Sequence, residues 1–147
     1  AGVRIGYMLG RADIVGHLDK LRPPYNVSVL NAECALFALE HRSEFERQAL
    51  AIRSERERLT QALTALPGVT PYPSQANMLL VRLAGDAQHA THIFEAMRAR
   101  GVLVKNVSKM HPVLHHCLRL TVGTPEENNQ LLTALTQALD ASRVQAP

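Results

Sequence analysis

Apolar residues alternate with smaller or polar ones from Val3 to Leu9, recur at helical spacing from Ile14 to Leu66, and then fall into short runs between turn signals. The alternation of Val3, Ile5, Tyr7 and Leu9 predicts a strand for the interior of a sheet. Ile14, Val15, Leu18 and Leu21 form one stripe of a short helix over 12–21, and Pro23-Pro24 forbids its continuation. A second helix over 27–41 is predicted to turn Leu30, Cys34, Phe37 and Ala38 inward. Ser43-Glu44-Phe45-Glu46 has the form of a capping box opening a third helix, which Pro67-Gly68 stops. That helix carries a dense charge run from Arg53 to Arg58 above an apolar stripe of Leu50, Leu59, Leu63 and Leu66. A long, half-exposed helix of this kind suits a bridge between two structural units.

Beyond Gly68 the pattern becomes strand-rich. Residues 69–72 predict a short edge strand, limited by Pro71 and Pro73. The nearly continuous apolar run 78–83 predicts a buried strand. Asp86 is placed to cap a helix whose Ala90, Ile93, Phe94 and Met97 share a face, and Gly101 closes it. Residues 102–107 read as the next strand, followed by a basic, histidine-bearing loop to His116. In Cys117-Leu118-Arg119-Leu120-Thr121-Val122, the alternation turns Arg119 away from the apolar face. Thr124-Pro125-Glu126-Glu127 supplies an N-cap, a proline at the first helical position and acids in the first turn. Leu131, Leu132, Leu135 and Leu139 pack the last helix, and 142–147 is expected to fray. The second half is therefore an α+β layer with its helices on one face.

Composition narrows the function. At 147 residues, 46% hydrophobic and 20% charged, the chain is long enough for one domain or slightly more. Sparse aromatics and no tryptophan argue against a base-stacking surface of the single-strand-binding type, and a net charge of +3 permits an anionic ligand without demanding nucleic acid. Seven histidines show no metal-ligand spacing, and His111, His115 and His116 read as solvated loop residues. Cys34 and Cys117 read as small buried hydrophobes, as in a reducing cytoplasm. Tyr7 and Tyr25 read as packing residues with a polar tip, and Asn77 as a residue satisfying backbone groups where a strand begins. No apolar run approaches the roughly 18 residues that span a bilayer, and no signal peptide is visible. Opening on a core strand without an initiator methionine suggests a piece of a longer protein.

An arginine on a short strand is expensive to bury unless an anion meets it, and its planar fork suits a carboxylate. The ordinary alternative is a salt bridge to an internal acid. Ala1-Gly2-Val3-Arg4-Ile5-Gly6-Tyr7, Arg22-Pro23-Pro24-Tyr25-Asn26-Val27-Ser28, Ala76 to Arg82, and Gly101 to Lys105 with Leu118 to Asn128 occur here in one order. Together they resemble the C-terminal portion of fold-type I pyridoxal-phosphate aminotransferases, the histidinol-phosphate aminotransferases in particular.

The resemblance implies an α/β chain in three parts. Residues 1–43 would close the large cofactor-binding domain, 44–66 would link, and 67–147 would form a small α+β domain. It implies that Arg4 binds the phosphate of pyridoxal 5'-phosphate and that Arg119 receives the substrate carboxylate. Lys105 stands where the family often has a second basic residue near that site. It implies transamination between histidinol phosphate and 2-oxoglutarate or glutamate in histidine biosynthesis, by a cytoplasmic homodimer without nucleic-acid or membrane partners. The Schiff-base lysine would fall before Ala1; Lys20, Lys105 and Lys109 do not stand in its motif, so the chain alone is expected to be inactive. An aromatic aminotransferase, a threonine-phosphate decarboxylase and a non-catalytic α+β binding domain stay open as alternatives.

Overall fold

The computed structural model describes residues 3–86 and 88–144. These divide into two compact units, Ala1–Gln48 and Ala49–Pro147.

In the N-terminal unit the helical patterns form helices, but their apolar stripes find no cover. Helix α1 spans Ala12–Asp19 and α2 spans Val29–Glu40, and neither contains a buried residue. Ser28 caps α2 by accepting the Asn31 amide at 3.1 Å. The strand expected over 3–9 does not form; residues 1 and 2, which precede it, lie outside the described ones. Alternation creates a strand only when a neighbouring strand takes up its backbone groups, and no described strand pairs with this segment. Val3 is tied instead to α2, its carbonyl accepting from the Asn31 side-chain amide. For the same lack of cover, Leu30, Phe37 and Cys34 are exposed rather than inward, and Tyr7 and Tyr25 are exposed rather than packed.

Helix α3 spans Arg42–Thr64, and the division between units falls within it. The expected capping box at Ser43–Glu46 is not one. His41 alone separates α2 from α3, so Ser43 already lies inside the helix and the Glu44 amide donates to the His41 carbonyl at 3.0 Å.

The C-terminal unit holds the core. Four antiparallel strands, β1 (Val69–Pro71), β2 (Met78–Leu83), β3 (Lys105–Asn106) and β4 (Cys117–Thr121), lie in the order β1-β2-β4-β3. Leu79, Val81 and Leu83 of β2 and Leu118 and Leu120 of β4 point to one face. There they meet Leu59 and Leu63 of α3, Ile93 and Met97 of α4 (His89–Ala99) and Leu131 and Leu135 of α5 (Pro125–Val144). The proline-bounded β1 is an edge strand, as its sequence predicts. Asp86 accepts the Gln88 and His89 amides at 2.9 and 2.8 Å, which caps α4 and holds its own carboxyl below the usual range. Gly101 ends that helix at φ 80°, a backbone conformation that a side chain resists.

Three details depart from the sequence pattern. The strand expected over 102–107 shrinks to Lys105–Asn106: Val102 and Val104 pack toward the core while Leu103 faces solvent, and the ladder opens beside Thr121. Ser74, not Asn77, satisfies the backbone ahead of β2, its hydroxyl donating to the Met78 carbonyl at 2.6 Å. Helix α5 continues through Ser142 to Val144, and 145–147 lie outside the described residues.

Candidate functional site

The face of the sheet away from the helices carries the chemistry. Leu80 of β2, Arg119 of β4 and Lys105 of β3 stand directly across from one another in register. Period-two alternation puts Leu118 and Leu120 into the core, and so puts Arg119 on the open side. Arg119 and Lys105 are both exposed, so neither bears the desolvation cost expected of a buried strand arginine. No ion pair engages either among the described residues, so the ordinary alternative of a salt bridge to an internal acid does not occur. Like charges directly opposite on a ladder repel. This pair is therefore a cationic spot that an anion would relieve.

The next cation on the same face is committed elsewhere. Arg82 donates to the Val113 carbonyl at 2.7 Å and lies 5.6 Å from the centre of the Tyr72 ring. The Cys117 side chain beside it, and then Tyr72, hold its guanidinium more firmly protonated than usual. Cys117 is buried as predicted, on this face and under the loop that follows β3. Within that loop His111 accepts the Val113 amide at 3.2 Å, and His116 lies 2.8 Å from the Asp86 carbonyl. These histidines hold the loop in shape.

Asn128 and Glu55 supply a support that sequence reasoning missed. Asn128 is 1% exposed, and its amide donates to Glu55 at 2.8 Å and to the Gly123 carbonyl at 3.0 Å while accepting from the Gly123 amide at 3.0 Å. Arg58 pairs with Glu55 at 2.8 Å and reaches the Asn129 side chain at 3.0 Å. The turn after β4, and with it the end of the Arg119 strand, is thereby fastened to α3. A signal was present: Asn128 stands three and four residues before Leu131 and Leu132, on the apolar stripe of its helix. Glu55 lay hidden in a charge run that reads as a solvated face.

Arg4 belongs to the N-terminal unit. It is exposed, has φ 58°, and makes no hydrogen bond or ion pair among the described residues. A free guanidinium is chemically suited to a phosphate group. For pyridoxal phosphate the fit is partial, because Lys20, Lys105 and Lys109 are the lysines of the sequence and none follows the family's Schiff-base motif. Exposure alone identifies neither arginine as a ligand.

Comparison with known proteins supplies the missing context. The family model for aminotransferase class I and II matches residues 1–135. A histidinol-phosphate aminotransferase of Methylibium petroleiphilum is 62% identical over 135 residues, which is 92% of this chain and 35% of that protein. One of Polaromonas naphthalenivorans is 58% identical over 95% of this chain and 37% of its own length. The chain thus spans about a third of the length of the curated relatives it matches. Among solved structures, the histidinol-phosphate aminotransferase of Sinorhizobium meliloti in complex with pyridoxal-5'-phosphate superposes with a TM-score of 0.76 at 26% identity, covering 96% of this chain and 38% of that one. The L-threonine-O-3-phosphate decarboxylase of Porphyromonas gingivalis gives the same TM-score at 26% identity over 95% of this chain and 42% of its own. With the family matched from the first residue to about the middle of α5, the chain belongs to the class I and II aminotransferases.

Proposed function

We propose that this chain is the C-terminal part of a pyridoxal-phosphate-dependent histidinol-phosphate aminotransferase, acting with 2-oxoglutarate and glutamate in histidine biosynthesis. The observation that carries this reading is the 62% identity to a curated histidinol-phosphate aminotransferase across 92% of the chain. The decarboxylase likeness rests on fold at 26% identity and is the weaker guide to substrate.

In this reading Arg119 grips the carboxylate of glutamate in one half-reaction and the phosphate end of histidinol phosphate in the other. A guanidinium on a rigid strand suits both because each ligand offers paired oxygens to its fork. Lys105, in register beside it, adds charge without a fork. Arg4 holds the cofactor phosphate. The bound cofactor supplies the electron sink; this chain's residues bind and orient. The division into 1–43, 44–66 and 67–147, a homodimeric assembly and a cytoplasmic location belong to the same proposal. The chain alone is inactive, since the lysine that would hold the cofactor is not among its own.

The test is a chimera in which this chain replaces the corresponding stretch of the Methylibium petroleiphilum enzyme. Arg119→Ala should raise KM for glutamate about 30- to 150-fold, the loss of a charge-assisted bidentate contact, while the bound-cofactor absorbance stays in place. An unchanged KM would remove Arg119 from the site.

A further inference from the structure

Strand β4 is flanked on both sides only as far as Arg119. On one side β2 accompanies it throughout, from Arg82 opposite Cys117 to Met78 opposite Thr121. On the other side β3 stops with Lys105 opposite Arg119. Past that pair Val102, Leu103 and Val104 diverge, and a cavity of about 290 Å³ opens between them and Thr121 and Gly123. A strand end hydrogen-bonded along one edge is less firmly placed than one held along both, and Arg119 stands where the second edge is lost.

The Asn128 side chain supplies that second edge. Its amide oxygen accepts from the Gly123 N–H and its amide nitrogen donates to the Gly123 carbonyl, both at 3.0 Å. These are the two bonds that a residue of a neighbouring antiparallel strand makes in a hydrogen-bonded pair. The other amide hydrogen goes to Glu55, at 2.8 Å. A flipped amide would set its oxygen against that carboxylate, so Glu55 fixes which way the amide faces. Arg58 holds Glu55 in turn, through Nε at 3.0 Å and Nη2 at 2.8 Å. Gly123 is suited to this close approach, because a Cβ there would collide with the Glu127 carboxylate.

We propose that Asn128, oriented by Glu55, is a positioning residue for Arg119: it stands in for the strand that β4 lacks past the Lys105 pair, and so fixes where the guanidinium meets a carboxylate. The proposal rests on the reading of Arg119 as the carboxylate-binding group. Asn128 is 1% exposed, so it acts through the strand and not on the ligand. The leverage is large, since a misplacement of about 1 Å at a binding group can cost about a hundredfold.

The chimera serves as the test, with Arg119→Ala read alongside. Asn128→Asp keeps the shape and the acceptor for the Gly123 N–H, removes both donated bonds and sets two carboxylates against each other. It should raise KM for glutamate about tenfold, with kcat within about threefold and the bound-cofactor absorbance in place. Adding Glu55→Gln should bring KM back to within about threefold of the parent, because the glutamine amide can donate to the new carboxylate and restore the link to α3. Asp86→Ala, which removes the cap of α4, should lower the urea midpoint and leave KM unmoved, separating lost stability from lost positioning. If Asn128→Asp does not fold, Glu55→Ala carries the test: Asn128 keeps its bonds to Gly123 but loses the group that orients its amide, and KM should rise about three- to tenfold. A KM raised by Arg119→Ala but by neither Asn128→Asp nor Glu55→Ala overturns the proposal and leaves the role of Arg119 standing. An Asn128→Asp defect that Glu55→Gln does not repair, or one confined to kcat and the urea midpoint, makes Asn128 a structural residue and overturns the proposal too. An unchanged KM in Arg119→Ala removes the reading of Arg119 and the proposal with it.

Discussion

Arg119 and Lys105 show how little a single side chain says without its neighbours. On the strand pattern Arg119 could have been one half of an internal ion pair, and the register shows it facing another cation. Glu55 shows the converse. Within a charge run it looked like solvated surface, yet the Arg58 guanidinium, and then the Asn128 amide, hold its carboxyl below the usual 4.5. A folded-state pKa below the unfolded one means the stabilisation is complete above about 4.5 and is lost as pH falls through the lower folded value. The urea midpoint of the wild-type chain should therefore exceed that of Glu55→Gln near pH 6. The gap should narrow as the pH falls below about 4.5 and the Glu55 carboxylate is protonated in the folded chain. A gap that is constant with pH would show that Glu55 does not titrate through its Arg58 contact.

At the scale of elements, two similar capping motifs met different fates. Thr124-x-x-Glu127 forms a true reciprocal box, with the Thr124 amide donating to Glu127 at 2.8 Å and the Glu127 amide to the Thr124 hydroxyl at 3.3 Å. Ser43-x-x-Glu46 has the same letters but lies within a helix already begun at Arg42. Thr124→Ala should cost about 1 kcal/mol in urea unfolding, while Ser43→Ala should change stability by less than about 0.5 kcal/mol. Equal losses would restore Ser43 as a cap. The proline-limited strand β1, the apolar run of β2 and the Asp86 and Gly101 signals around α4 were all legible, because each rests on local backbone chemistry. The shortening of β3 was not. An apolar run such as Val102–Val104 predicts extended chain, and whether that chain stays hydrogen-bonded to β4 depends on where its side chains find room to pack.

Across the whole molecule the two units differ in kind. In the C-terminal unit Leu59, Leu79, Val81, Leu118, Leu120 and Leu135 are all fully buried, whereas α1 and α2 bury nothing. Amide hydrogen exchange of the isolated chain should accordingly protect β2 and β4 to the depth of global unfolding. Amides of α1 and α2 should exchange at least about a hundredfold faster. Equal protection in both would mean that the N-terminal unit has found cover of its own.

The sequence by itself determined the periodicities, the turn and cap chemistry, the α+β layer with helices on one face, and the family, since these follow from short-range spacing and from motif order. Only the tertiary structure decided which apolar stripes are buried, that residues 3–9 lack a strand partner, and that Arg119 faces Lys105 while Asn128 fastens the turn after β4. Burial and pairing are properties of what lies opposite a residue, and that neighbour stands far along the chain, as Glu55 does from Asn128.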